Sequence, residues 1–90
     1  MDDIQTIQQA IRANHLQEAM TMIGQKLHEK AESATLYYLQ GIIYMKRSQW
    51  SQAMTSFLHA ESLDPQSPAC QCRHMLSDIM DFYNKDMYNQ

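Results

Sequence analysis

Four residues carry nearly all the backbone punctuation of this ninety-residue chain: Gly24, Gly41, Pro65 and Pro68. Both glycines fall inside stretches with helical spacing, so few turns are available. Valine is absent and threonine sparse, while glutamine, methionine, alanine and leucine are abundant. Sheets draw on β-branched residues and frequent turns, and this chain supplies neither. Helices joined by short connections are what remains. With 44% hydrophobic and 19% charged residues the balance is that of a folded chain rather than a disordered one. Its length suits one domain with a modest core.

Apolar residues recur at steps of three and four throughout. The spacing predicts a first helix over 2–13, on Ile4, Ile7 and Ile11, with Asp2 and Asp3 at its positive end. Asn14 is expected to cap a second helix over 15–30, with Gln17 three residues on and a stripe through Leu16, Ala19, Met20, Ile23 and Leu27. After the polar run 28–33, Ser33 is expected to cap a third helix over 34–47. That helix is apolar on two faces, one through Tyr37, Gly41 and Tyr44, the other through Tyr38, Ile42 and Met45. A fourth over 49–62 uses Trp50, Ala53, Met54, Phe57 and Ala60. It stops at Asp64-Pro65, because the residue before a proline avoids the α region. Ser67-Pro68 opens a fifth, running to about 84 through Ala69, Cys72, Leu76, Ile79 and Tyr83, with 85–90 read as a polar tail. Short connections make successive helices antiparallel.

A glycine inside a helix costs about 1 kcal/mol relative to alanine. The surroundings of Gly41 offer a reason for it. Tyr37-x-x-Gln40-Gly41-x-x-Tyr44, followed by Ala53, Phe57, Ala60 and Pro65, resembles the tetratricopeptide repeat, a helix-turn-helix unit of 34 residues. Residues 34–67 match seven of eight signature positions; Trp50 and Leu63-Asp64-Pro65 also fit, and Gln40 departs from the family's leucine. Small residues at 41 and 53 would let the third and fourth helices cross closely. Moving the frame back by 34 puts Ile7 under Gly41, Ala10 under Tyr44, Leu16 under Trp50, Ala19 under Ala53 and Ile23 under Phe57. Residues 1–33 therefore read as a degenerate first repeat, and the fifth helix, over 68–84, as a capping helix. The expected fold is all-α: about five helices in antiparallel helix-turn-helix repeats, forming a short right-handed solenoid. Gly24 receives no role.

In this family the first helix of each repeat lines a concave groove. By register those residues are Tyr38, Ile42, Met45 and Lys46, with Ile4, Gln8, Ile11 and Arg12 one repeat earlier and Cys72, Leu76, Ile79 and Met80 one later. The resemblance implies a small protein-interaction module taking a peptide or partner helix. Its expected contacts are Gln8, Arg12, Tyr38, Ile42, Met45, Lys46, Arg73, Leu76 and Met80, with the basic groups meeting carboxylates. Some family members clamp chaperone C-termini with lysine and asparagine. Gln8 and Ile42 stand where that clamp has asparagine, so it is not expected here. Two readings compete. Helix curvature and the C-terminal tail would bury the same residues, or the apolar face and the aromatics Phe82, Tyr83 and Tyr88 would hold a second copy. A monomer or weak homodimer is expected. Of the eight methionines, Met20 and Met54 suit the core, and Met45 and Met80 suit contact.

Other chemistry finds less support. Net charge is −3 and the longest basic run is Lys46-Arg47, so no nucleic-acid footprint is expected. No apolar stretch reaches membrane-spanning length, and the acidic start is unlike a signal peptide; a cytoplasmic protein without membrane partner is expected. Cys70 and Cys72 point to different sides of a helix, which disfavours a disulfide and fits a reducing compartment. Cys70, His74 and Asp78 share a face in the order thiol, imidazole, carboxylate, as in a nucleophilic triad. Nothing nearby supplies an oxyanion hole, so no enzyme is expected. Cys70, Cys72 and His74 lack the second ligand pair of a structural zinc site, and His15, His28 and His59 are scattered. No metal or cofactor is expected.

Overall fold

Helix boundaries fall where the sequence provides a device to start or stop them. The computed structural model describes residues 3–29 and 33–88, with side chains at 4–29 and 33–81. Within these residues the chain forms α1 (Asp3–Arg12), α2 (Leu16–Glu29), α3 (Ala34–Lys46), α4 (Trp50–Leu63) and α5 (Ala69–Tyr88), and no strand. The fold is all-helical, as expected. The main difference in extent is α5. It continues through 85–88, which are helical rather than a tail; Lys85, Asp86, Met87 and Tyr88 include no glycine or proline to stop it. Asp2 and residues 30–32 of the polar run lie outside the described residues.

Ser33 caps α3 as expected, its Oγ accepting from the Leu36 N–H at 3.2 Å. Ser67 does the same for α5, accepting from the Ala69 N–H at 3.2 Å. Asp64 ends α4 in extended conformation (φ −148°, ψ 98°), the conformation a following proline imposes. Asn14 does not cap α2; it closes the C-terminus of α1. It sits inside the α1–α2 turn at φ 65°, in the left-handed region that asparagine tolerates better than most residues, and α2 starts two residues later.

The α1–α2 and α3–α4 turns are the same structure. Ala13 N–H donates to Gln9 O, Asn14 to Ile11 O and His15 to Ala10 O; Arg47 donates to Ile43 O, Ser48 to Met45 O and Gln49 to Tyr44 O. Each bond recurs 34 residues on, as from 13 to 47. The left-handed residue recurs too, as Ser48 at φ 59°. Helix α2 spans 14 residues from Leu16 and α4 spans 14 from Trp50, again 34 apart, as are the capping serines.

Two hydrophobic clusters share α3. In the first, Ile7 and Ile11 of α1 and Ala19 and Ile23 of α2 pack on Leu36, Leu39 and Ile43 of α3. In the second, Ala53, Phe57 and Ala60 of α4 pack with Ala69 and Leu76 of α5, and Tyr37, Tyr38, Ile42 and Tyr44 of α3 lie half-buried against them. The Leu36, Leu39, Ile43 face is a third apolar face on α3, beyond the two expected. A helix apolar all round is one that is covered on several sides.

Gly41 is buried where α3 crosses α4. A Cβ there would stand 2.5, 2.6 and 2.9 Å from three ring carbons of Phe57, which is itself fully buried. Burying a phenylalanine stabilises by about 1.5–3 kcal/mol, more than the helix propensity a glycine gives up. Gln40 meets α4 by a polar contact instead: the Ser56 hydroxyl, in a residue 5% exposed, donates to Gln40 Oε1 at 3.1 Å. Nothing lies within 4 Å of a Cβ built on Gly24, which is exposed in mid-α2.

A candidate partner-binding face

Positions 34 apart align α1, α3 and α5, so the residues proposed for contact can be compared row by row. Ile4, Tyr38 and Cys72 form one row. Ile4 is half-buried against the first cluster, Cys72 against the second, and Tyr38 against both. The Tyr38 ring lies tilted 6.2 Å from that of Phe57. Burial raises the pKa of its hydroxyl, and the neighbouring Cys72 thiol raises it further. Burial also raises that of Cys72, with the hydrogen bond to Tyr38 pulling the other way. A buried thiol held protonated is a poor nucleophile.

The second row is Gln8, Ile42 and Leu76. Gln8 and Ile42 are half-buried and reachable. Leu76 is not: it is fully buried in the second cluster and offers a partner no surface. Ile11, on the same face of α1, is buried as well. Met45, Ile79 and Met80 are half-buried.

Arg12 and Lys46 are exposed in the last turns of α1 and α3. Neither stands in an ion pair with any described residue. Arg73 is different. Its Nε donates to Glu61 Oε2 at 2.5 Å and its Nη2 to Glu61 Oε1 at 3.2 Å, a two-pronged bond that ties α5 to α4. That bond holds the Glu61 carboxyl below the usual carboxylate range. Arg73, expected on the partner face, is thus engaged within the fold by Glu61, unlike Arg12 and Lys46.

The Cys70 thiol is half-buried beside Glu61 and Arg73, while His74 and Asp78 are exposed on α5. Among the described residues no three His, Cys, Asp or Glu side chains gather as metal ligands. No described helix is long and apolar enough to cross a membrane. Phe82, Tyr83 and Tyr88, proposed for self-association, have side chains outside the described residues. The sequence reading did not anticipate the Tyr37–His59 stack, with ring centroids 3.8 Å apart, or the Gln40–Ser56 bond. Spacing within single helices does not say which residues of two helices will face each other.

Among the described residues the outward faces of the first and last helices are largely polar. Gln5 and Gln9 occupy on α1 the positions that Leu39 and Ile43 hold on α3, and all of Gln71, His74 and Asp78 are exposed on α5 at the positions of Tyr37, Gln40 and Tyr44. Among the described residues Met75, at the position of Gly41, is the one large apolar side chain there, 48% exposed.

These features define a small all-helical protein, with five helices among the described residues. It is 38% identical to the Bacteroides fragilis protein BF1650, whose solution NMR structure it matches with a TM-score of 0.87 over 100% of this chain and 92% of that one. The two belong to one family. No protein-family model and no curated protein matches the chain.

Proposed function

We propose that the chain is a tetratricopeptide-type interaction module that takes a segment of a partner protein along the face shared by α1, α3 and α5. The observation carrying this reading is the 34-residue recurrence of turn, cap and helix length, with Gly41 seated on Phe57 at the crossing. On this reading the two hairpins are successive repeats of a short right-handed solenoid, and α5 covers α4. The half-buried Tyr38, Ile42 and Met45, beside the exposed Arg12 and Lys46, are then the contact residues, with Gln8 and Met80 at their margins. The reading assigns no catalysis and no cofactor, neither nucleic acid nor membrane as partner, and a cytoplasmic setting in which the two thiols stay reduced.

Among the described residues the outward faces of α1 and α5 are polar apart from Met75, which leaves the α1–α3–α5 face as the described surface through which copies would associate. Light scattering across a concentration series separates the two readings. A mass that stays at 10.5 kDa leaves the face free for another protein. A dimer that dissociates on Ile42→Asp, in a variant that keeps its helical circular dichroism, would show the face to be occupied by a second copy and would sink the adaptor reading.

A further inference from the structure

We propose that the crevice between α3 and α4, over Gln40, binds a small neutral sugar. It lies away from the partner face. Gln40 and Ile42 are separated by about 200° around α3, so they point to nearly opposite sides of that helix. Loss of one site would leave the other intact.

The crevice has a volume of about 300 Å³, at the lower end of the range for small-molecule sites. Gln40, Tyr44, Ser51, Gln52, Thr55 and Ser56 line it. The hairpin architecture alone accounts for a hollow here, because the first hairpin has one at the equivalent place. That hollow measures about 200 Å³ and is lined by Thr6, Ile7, Met22, Gln25 and Lys26. The lining is what differs. Gln40 stands 34 residues on from Thr6, Tyr44 from Ala10 and Ser56 from Met22.

A leucine at position 40, as the repeat pattern has it, would need no partner there. The chain instead sets an amide against the Ser56 hydroxyl, which donates to Gln40 Oε1 at 3.1 Å. That bond uses only the carbonyl of the amide. The N–H groups on Gln40 Nε2 have no partner among the described residues, nor do the Ser51 hydroxyl and the Gln52 amide. Thr55 donates to the Ser51 carbonyl and keeps its oxygen free to accept. Half-buried polar groups are costly unless something bonds them.

No charged side chain lines the crevice. A phosphate, a carboxylate or an ammonium group would find no counter-charge in it. Amides and hydroxyls both donate and accept. Vicinal sugar hydroxyls do the same, and one primary amide can bond two of them at once. The Tyr44 ring in the lining supplies an apolar face for the C–H groups of a pyranose. A site built to bond hydroxyls also rejects ligands that lack them, since its own polar groups are then left unpaired.

The test is titration of the isotope-labelled full chain with glucose, galactose, mannose and N-acetylglucosamine, read by NMR at the side-chain amide signals of Gln40 and Gln52. Inorganic phosphate is the charged control. At least one sugar should shift both signals saturably, with a Kd of about 1–10 mM for a ligand this small. Gln40→Leu combined with Ser56→Ala removes the amide and leaves no unsatisfied hydroxyl; it should weaken binding about tenfold or more. Gln52→Ala, at an exposed position, should keep the parent's helical signal and weaken binding about threefold, which preserves the test if the double variant does not fold. No saturable shift with any of the four sugars up to about 100 mM would overturn the proposal and leave a hydrated crevice. Sugar binding that survives these substitutions would overturn it by placing the site elsewhere. Saturable binding of phosphate at the same signals would overturn the neutral class of ligand.

Discussion

The two glycines make a matched pair of perturbations in which one methyl group should act with opposite sign. In Gly41→Ala the new Cβ meets three Phe57 ring carbons at 2.5–2.9 Å, where carbon atoms prefer 3.5–4.0 Å. Either the ring or α3 must move by about 1 Å. The ring is fully enclosed, so it cannot swing into solvent. Overpacking of this kind costs about 1–3 kcal/mol, and a contact this close belongs near the upper end. Helix propensity returns about 1 kcal/mol. The net expectation is a loss of about 2 kcal/mol, or roughly 8–16 °C in Tm for a domain this size. In Gly24→Ala nothing lies within 4 Å, so only the propensity remains, and the variant should gain about 0.5–1 kcal/mol. Urea melts followed by circular dichroism measure both. A double-mutant cycle with Phe57→Leu checks the cause, because the smaller side chain should absorb much of the Gly41→Ala penalty. A neutral or stabilising Gly41→Ala, or a penalty unchanged in the Phe57→Leu background, would refute the close-crossing argument.

Three further outcomes are expected. Hydrogen bonding from Arg73 lowers the Glu61 pKa below its ordinary 4.5, so the unfolded chain takes up this proton first as acid is added. Glu61→Gln should thus be less stable than the parent at neutral pH, with the gap closing as pH falls from 4.5 through the folded-state pKa; a constant gap in acid melts would contradict this. Gln40→Leu should leave the Ser56 hydroxyl without its bond at a cost of about 1–3 kcal/mol, and adding Ser56→Ala should recover most of it, since two apolar partners leave nothing unsatisfied. Cys72, studied in a Cys70→Ser background, should reach its full alkylation rate only above pH 9.0, because burial raises its pKa from that value. Tyr38→Phe removes the hydrogen bond that opposes the shift and should move the profile higher still; a plateau below pH 9.0 would contradict the buried-thiol description.

Helix positions were legible in the sequence because the signals were local. Ser33, Ser67 and Asp64-Pro65 act through bonds and sterics within a few residues, and the structure uses each of them as expected. Asn14 was misread because asparagine suits the N-cap of one helix and the left-handed C-terminal position of the one before it equally well. Its backbone angle decides, and that depends on α2 folding back along α1. The Leu36, Leu39, Ile43 stripe was present at steps of three and four, but α3 carries so many apolar residues that two other stripes drew the reading first. Arg73 and Leu76 show the limit at the candidate site. Register placed both on or beside the partner face. Only the packing of α5 on α4 shows that one is held by Glu61 and the other enclosed by the second cluster.

The three faces of α3 bear on how such a face can bind at all. One face is fixed by Leu36, Leu39 and Ile43 in the first cluster, and another by Gly41 against Phe57 in the second. The remaining side chains, Tyr38, Ile42 and Met45, are mounted on a helix gripped from two directions. Tyr38 and Ile42 are packed into both clusters, so part of their surface is already immobile before any partner arrives. Ordering a side chain on binding costs about 0.5–1.5 kcal/mol, and a half-buried residue has already lost much of that freedom in folding. The same burial reduces the apolar area left to gain. On the proposed reading a partner would meet a rigid but shallow apolar strip, so affinity is expected to be modest and selectivity to depend on the flanking charges. Arg12 and Lys46 are the long, exposed side chains positioned to supply them.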